Sequence, residues 1–180
     1  MALDPAQTAR GALAGAVAAA VWSAQSPLDI KVFGVPYLDE ELLGKAFTTG
    51  PASHALGLGL HLSNGALLGA VYANVAPRLP VAPWARGPLA GLVEHLATWP
   101  LALLVDRVHP ARDELPRLSG NPRAFAQATW RHLVFGAVLG ELDRRLNAGP
   151  RRRRAFDAVV ASNGHGDLAA AAAAAGAAAR

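Results

Sequence analysis

Long stretches without a formal charge limit what this chain can fold into more than any other feature. Residues 11–28, between Arg10 and Asp29, contain no Asp, Glu, Lys or Arg. Residues 46–77 are equally free of charge, and residues 87–105 are interrupted only by Glu94. A helix rises about 1.5 Å per residue, so about 18 residues span roughly 27 Å, close to the ~30 Å hydrocarbon core of a bilayer. These three blocks lack the polar face of a soluble bundle helix, and none alternates with the period of 2 that a barrel strand needs. A fourth block, residues 124–146, has an apolar middle but carries Arg131, Glu141, Asp143, Arg144 and Arg145, whose side chains can snorkel from its ends. The expected fold is all-α: a four-helix transmembrane bundle over residues 1–150, with helices near 9–26, 54–76, 86–105 and 124–146.

Composition agrees with this and removes some chemistry. Charged residues make up 17% of the chain, below the ~25% usual in soluble domains. No cysteine is present, which excludes disulfides, thiolate metal sites and thiol nucleophiles. The net charge of +4 includes the run Arg151, Arg152, Arg153 and Arg154, which follows the fourth block. Such a run beside an apolar segment points to anionic lipid headgroups, not to nucleic acid. Cleavage after Ala24 is not expected, because the bulky Trp22 stands at the −3 position, where a signal peptidase needs a small residue.

The connections suggest a topology. Residues 27–51 read as a longer loop in which residues 38–47 form a short amphipathic interfacial helix. Residues 106–123 read as a solvated loop, with His109, Asp113 and Glu114 as surface charge. The tail from Ala155 onward is low in complexity and is expected to be disordered. With the N-terminus in the cytoplasm, ten basic residues fall inside and seven outside, so both termini are expected inside a bacterial inner membrane. Trp22, Trp99 and Trp130 then lie toward the outer interface and Trp84 toward the inner one.

Two motifs recur in order. Arg10-Gly-Ala-Leu-Ala-Gly15 returns as Arg86-Gly-Pro-Leu-Ala-Gly91, and His61-Leu-Ser-Asn-Gly-Ala-Leu-Leu-Gly69 returns as His132-Leu-Val-Phe-Gly-Ala-Val-Leu-Gly140. The pattern implies two tandem helix pairs. It also puts one G-x-x-x-G in each helix: Gly11/Gly15, Gly65/Gly69, Gly87/Gly91 and Gly136/Gly140. Lipid gives helices no hydrophobic reason to associate, so close backbone approach at such glycines is expected to hold the bundle.

The same spacing puts His61, His95 and His132 on the glycine faces, with Asn64 and Glu94 adjacent and Glu141 one residue past Gly140. Arg131 reads as an interface snorkeller, or as the partner of Glu94 or Glu141. This polar set (His61, Asn64, Glu94, His95, Arg131, His132 and Glu141) admits three readings. Its members can act as interhelical hydrogen bonds, line a proton path or small-solute pocket, or ligate a metal or haem. No H-E-x-x-H or other familiar ligand spacing supports the third, so no metal or cofactor is expected. No P-loop, dinucleotide fingerprint, G-x-S-x-G or carboxylate pair is present, so no enzyme is expected.

The chain also resembles, distantly, uncharacterised four-helix bacterial inner-membrane proteins of the YagU type. The likeness rests on Gly11-Ala-Leu-Ala-Gly15 before Ser26-Pro27, on His61-Leu-Ser-Asn-Gly65, on Gly87-Pro-Leu-Ala-Gly91 leading to Glu94-His95 and Trp99-Pro100, and on Trp130-Arg-His132 running to Glu141. It implies a stress-related envelope role and supplies no catalytic residues. The expectation is a non-enzymatic membrane protein that forms a homo-oligomer. The alternative is a small channel or transporter component moving protons or a small solute through the His/Glu-lined interior.

Overall fold

Proline opens three of the long helices, at Pro5, Pro83 and Pro122, where its missing N–H costs nothing. Asp4 caps the first by accepting from the amides of Ala6 and Gln7, and Asn121 caps the last by accepting from those of Arg123 and Ala124. The structure, a computed structural model, describes residues 4–148. Arg151 to Arg154 and the alanine-rich tail lie outside the described residues.

The described residues are all-helical: α1 (Pro5–Phe33), α2 (Asp39–Lys45), α3 (Ser53–Val75), α4 (Pro83–Thr98), α5 (Leu101–Val108) and α6 (Pro122–Leu146). Two boundaries differ from expectation. α1 does not stop at Pro27; it runs to Phe33 and ends at Gly34, whose φ of 73° lets its amide donate back to Ile30. Proline denies the Ser23 carbonyl its donor, but the extra turns carry Asp29 onto a buried partner in α6, and that tertiary contact outweighs the local defect. The third expected helix is broken at Trp99-Pro100 into α4 and α5, bent by 46°.

On length and composition, Ser53–Arg78 can cross a membrane, and a second crossing follows if α4 and α5 form one broken span. The four apolar helices expected are thus found only in coarser form. α1 is built from alanine and glycine, with Gln25, Ser26 and Asp29 in its second half, and α6 bears charge in its middle and at both ends. Both are less apolar than α3.

α1 and α6 form the antiparallel centre, with α3 packed on α1 and α4 packed on α6. Glycine determines both outer contacts. A Cβ added at Gly15 would run into the carbonyl oxygen of Gly65, and one at Gly69 into that of Gly11. On the other side, a Cβ at Gly87 would strike the Gly136 carbonyl, and one at Gly91 the His132 carbonyl. The motifs are alike but their registers differ by about a turn: Gly15 meets Gly65, whereas its counterpart Gly91 meets His132. α2 is seated against the start of α3 by the same means, with Gly44 on the Ser53 carbonyl and Gly57 on that of Glu40.

This packing inverts the usual sorting by size. The inner face of α1 is Gly11, Ala14, Gly15 and Ala18, while Leu13, Val17 and Val21 face outward. α3 buries Gly57, His61, Gly65 and Gly69 and exposes Leu56, Leu67, Val71 and Val75.

Gly15→Ala and Gly91→Ala are expected to cost roughly 1–3 kcal/mol each by overpacking, and to lower the thermal midpoint of the purified protein by several degrees. Gly59, also inside α3, faces open space, and a Cβ added there would meet nothing within 4 Å, so Gly59→Ala is expected to hold or raise the midpoint. Equal midpoints for all three variants would refute packing through glycine.

Candidate functional site

At the end of the bundle where α1 gives way to α2, an arginine is completely enclosed. Arg131 has 0% side-chain exposure, and its guanidinium grips Asp29 with two parallel bonds, Nε to Oδ2 and Nη2 to Oδ1, both 2.7 Å. Nη1 donates to Asp39 at 2.8 Å, Nη2 also to the Tyr37 carbonyl at 3.1 Å, and the Tyr37 ring lies 4.5 Å from the guanidinium carbon. Asp29 accepts further bonds from Gln25 and Gln127, and Asp39 accepts one from the Trp22 indole. Burial, reinforced by the Asp39 carboxylate, pushes the Tyr37 hydroxyl well above the ordinary phenol range, so it stays neutral. A forked, always-charged guanidinium suits this role because each of its three nitrogens meets an acceptor.

Next to this clamp is a cavity of about 280 Å³ whose lining includes His61, Asn64, Glu94, His95 and His132. The Trp22 ring stands edge-on between two of the histidines, 5.4 Å from His61 and 4.6 Å from His132. His95 and His132 lie 4.7 Å apart, and His95 Nε2 donates to the Thr129 hydroxyl, which itself donates to the Phe125 carbonyl. His132 Nδ1 bonds the Ala128 carbonyl at 2.7 Å and must donate there. Its Nε2 meets Glu94 at 2.6 Å, a contact that needs one proton held between ring and carboxyl. His61 is 8% exposed, and its Nε2 has no partner.

Five of the seven polar residues singled out in the sequence therefore line one chamber. The other two lie elsewhere. Arg131 is not an interface snorkeller and pairs with neither Glu94 nor Glu141; Asp29 and Asp39 claim it because α1 continues past Pro27. Glu141 sits near the end of α6, paired with Arg144 and Arg145, too far along the helix to join the cluster. Trp22 is a buried wedge with 5% exposure and not part of a surface belt. His109 is not solvated charge: it is buried, accepts from the Ala111 amide at Nδ1 and donates from Nε2 to the Leu42 carbonyl. Lys45 bonds Glu114 at 2.7 Å, and that contact raises the Lys45 ammonium above its ordinary range. The loop at 109–121 is thereby tied to α2 as a folded cap. Asp29, Tyr37, Asp39 and Gln127 were missed. The one sequence signal for them is Gln127 and Arg131 spaced by four on an otherwise small, apolar face of α6.

Among the described residues, no group of three His, Asp or Glu side chains converges as metal ligands would. No family model, curated protein or solved structure matches this chain.

Removing one partner of a fully enclosed ion pair leaves the other charge stranded. Arg131→Met is expected to cost roughly 3–5 kcal/mol, and the double variant Arg131→Met/Asp29→Leu to recover much of that loss. Chemical unfolding of both variants checks this; a double variant no more stable than the single one would refute the pairing.

Proposed function

We propose that this chain is a non-enzymatic, multi-pass protein of the bacterial cytoplasmic membrane, crossed by α1, α3, the broken pair α4–α5 and α6, whose His/Glu chamber takes up protons or a small solute. One observation carries the membrane reading. The helices turn glycine, alanine and histidine inward and Leu13, Val17, Val21, Leu67, Val71 and Val93 outward. In water that arrangement forfeits the burial of large side chains, worth ~1.5–3 kcal/mol each, and leaves a broad apolar surface wet. In hydrocarbon the outward residues are already in a matching solvent, and small residues let the backbones approach.

Other features fit this reading. The charges inside α6 are paired internally, as a charge at membrane depth must be. A break such as Trp99-Pro100 is tolerated there where the freed backbone lines a cavity, and Leu101 and Ala102 of α5 line the chamber. Glycine motifs in the same order in both helix pairs are consistent with two tandem repeats. The surplus of basic residues favours a topology with both termini inside, in which the basic run at residues 151–154 would meet anionic headgroups. The proton shared by Glu94 and His132, beside His95 and an unpartnered His61, favours a chamber that exchanges protons over a purely structural cluster. The YagU-type likeness, with its implied envelope or stress role, fits a protein of this kind.

A chain without cysteine allows a direct test. Thr49→Cys and Arg112→Cys are expected to react with an impermeant maleimide in intact spheroplasts, Pro80→Cys only after lysis, and Val71→Cys in neither case. Labelling of Thr49 and Pro80 from the same side would defeat the topology, as would recovery of the native protein in a detergent-free supernatant. Reconstituted protein is expected to dissipate a proton gradient faster than empty liposomes, and Glu94→Gln to abolish the difference. If flux never exceeds that of empty liposomes, the structural envelope role is left.

A further inference from the structure

The polar chamber does not end between α3 and α4. An apolar groove of about 360 Å³ continues from it along the facing sides of the two helices, walled by Val71, Val75, Leu89 and Val93 and floored by Phe135 and Leu139 of α6. Leu68, Glu94 and Phe135 line both spaces, so chamber and groove adjoin at these three residues.

The chemistry of the two spaces specifies an occupant. Asp39 and Glu94 line the chamber, and among the described residues no lysine or arginine does. Arg131 stands behind Asp39 with its charge already shared between Asp29 and Asp39. Trp22 and Trp99 add aromatic rings to the lining, and such rings attract an organic cation once water is excluded, while the Tyr37 ring is already engaged by Arg131. His61 is an independent sign. It lines the chamber, is more than nine-tenths buried, and has a ring nitrogen without a hydrogen-bond partner. A buried polar atom in that state needs an explanation, and a ligand that carries an N–H donor supplies one. The groove beyond Glu94 presents aliphatic and aromatic side chains, which suit a hydrocarbon tail.

We propose that chamber and groove together bind an amphiphilic organic cation, with its ammonium head between Glu94 and His61 and its aliphatic tail between α3 and α4. The head competes with His132 for the Glu94 carboxylate, while the tail passes Phe135 toward the open side of the groove. This deepens the function proposed above and rests on it, since it names the class of solute that the chamber admits.

The test uses full-length protein in nanodiscs of zwitterionic lipid, with empty nanodiscs to subtract partitioning. Octylammonium, octanesulfonate and 1-octanol share a tail and differ in head charge, and calorimetric titration measures each. Octylammonium is expected to bind saturably and at least about tenfold more tightly than the other two. Glu94→Gln is expected to reduce its affinity to that of the alcohol, while leaving the alcohol unchanged. Val93→Trp, on the groove wall, is expected to weaken octylammonium by about tenfold without involving the chamber's polar groups. Equal binding of the three probes, a preference for the sulfonate, or indifference to both substitutions overturns the cation proposal but leaves a chamber that admits ligands. Absence of saturable binding by all three overturns the solute-binding reading as well.

Discussion

Backbone-to-backbone contact at glycine is the constraint on which the rest of this structure depends. Where Gly15 meets Gly65 and Gly87 meets Gly136, no room remains for a single methyl group, so the paired helices lie as close as helices can. Close approach multiplies dispersion contacts that are individually small, and it fixes the rotation of each helix about its own axis. That rotation turns His61, His95 and His132 inward and the leucines and valines outward. A residue with a Cβ at any of these crossings would push the helices apart and dissolve the chamber that they enclose.

A second kind of contact joins the two glycine-packed pairs. Between α1 and α6 the seam is made of alanines, Trp22, Phe135 and Leu139, and it is locked at one end by the guanidinium clamp. At the other end Arg10 bonds Asn147 at 2.7 Å, so the central pair is pinned near both ends. The clamp does more than join helices. Asp39 reaches Arg131 from the start of α2, and the Tyr37 ring covers the guanidinium, so the segment that caps the chamber is held by the charge that closes the seam. His109 on Leu42 and Lys45 on Glu114 then attach the second connecting loop to the same cap.

The chamber follows from an imperfection in the likeness of the two halves. In the first pair the glycines face one another directly, while in the second α6 is displaced by about a turn, so that the His132 backbone fills the place opposite Gly91. The displacement draws His132 beside His95 and within reach of Glu94, while His61 remains across the Trp22 ring. With α3 packed on α1 and α4 on α6, the two outer helices leave a cleft between them. A symmetrical pair of pairs would have no reason to gather these groups on one side.

Much of this was legible in the sequence, because it depends on local pattern. Uncharged blocks of helical length marked where the long helices form, glycine at a spacing of four marked the faces that meet, and the histidines on those faces had to turn inward with them. What the sequence left open depends on contacts between residues far apart in the chain. The extension of α1 through Pro27 needed Asp29 to find Arg131, about a hundred residues away, and no local propensity reports that bond. The burial of His109 and Trp22 likewise required the cap to fold back over the bundle end. Local spacing sets which face of a helix is small or polar; only the assembled structure decides which charges share a dry site, because the energy of a buried ion pair exists only once both partners have left water.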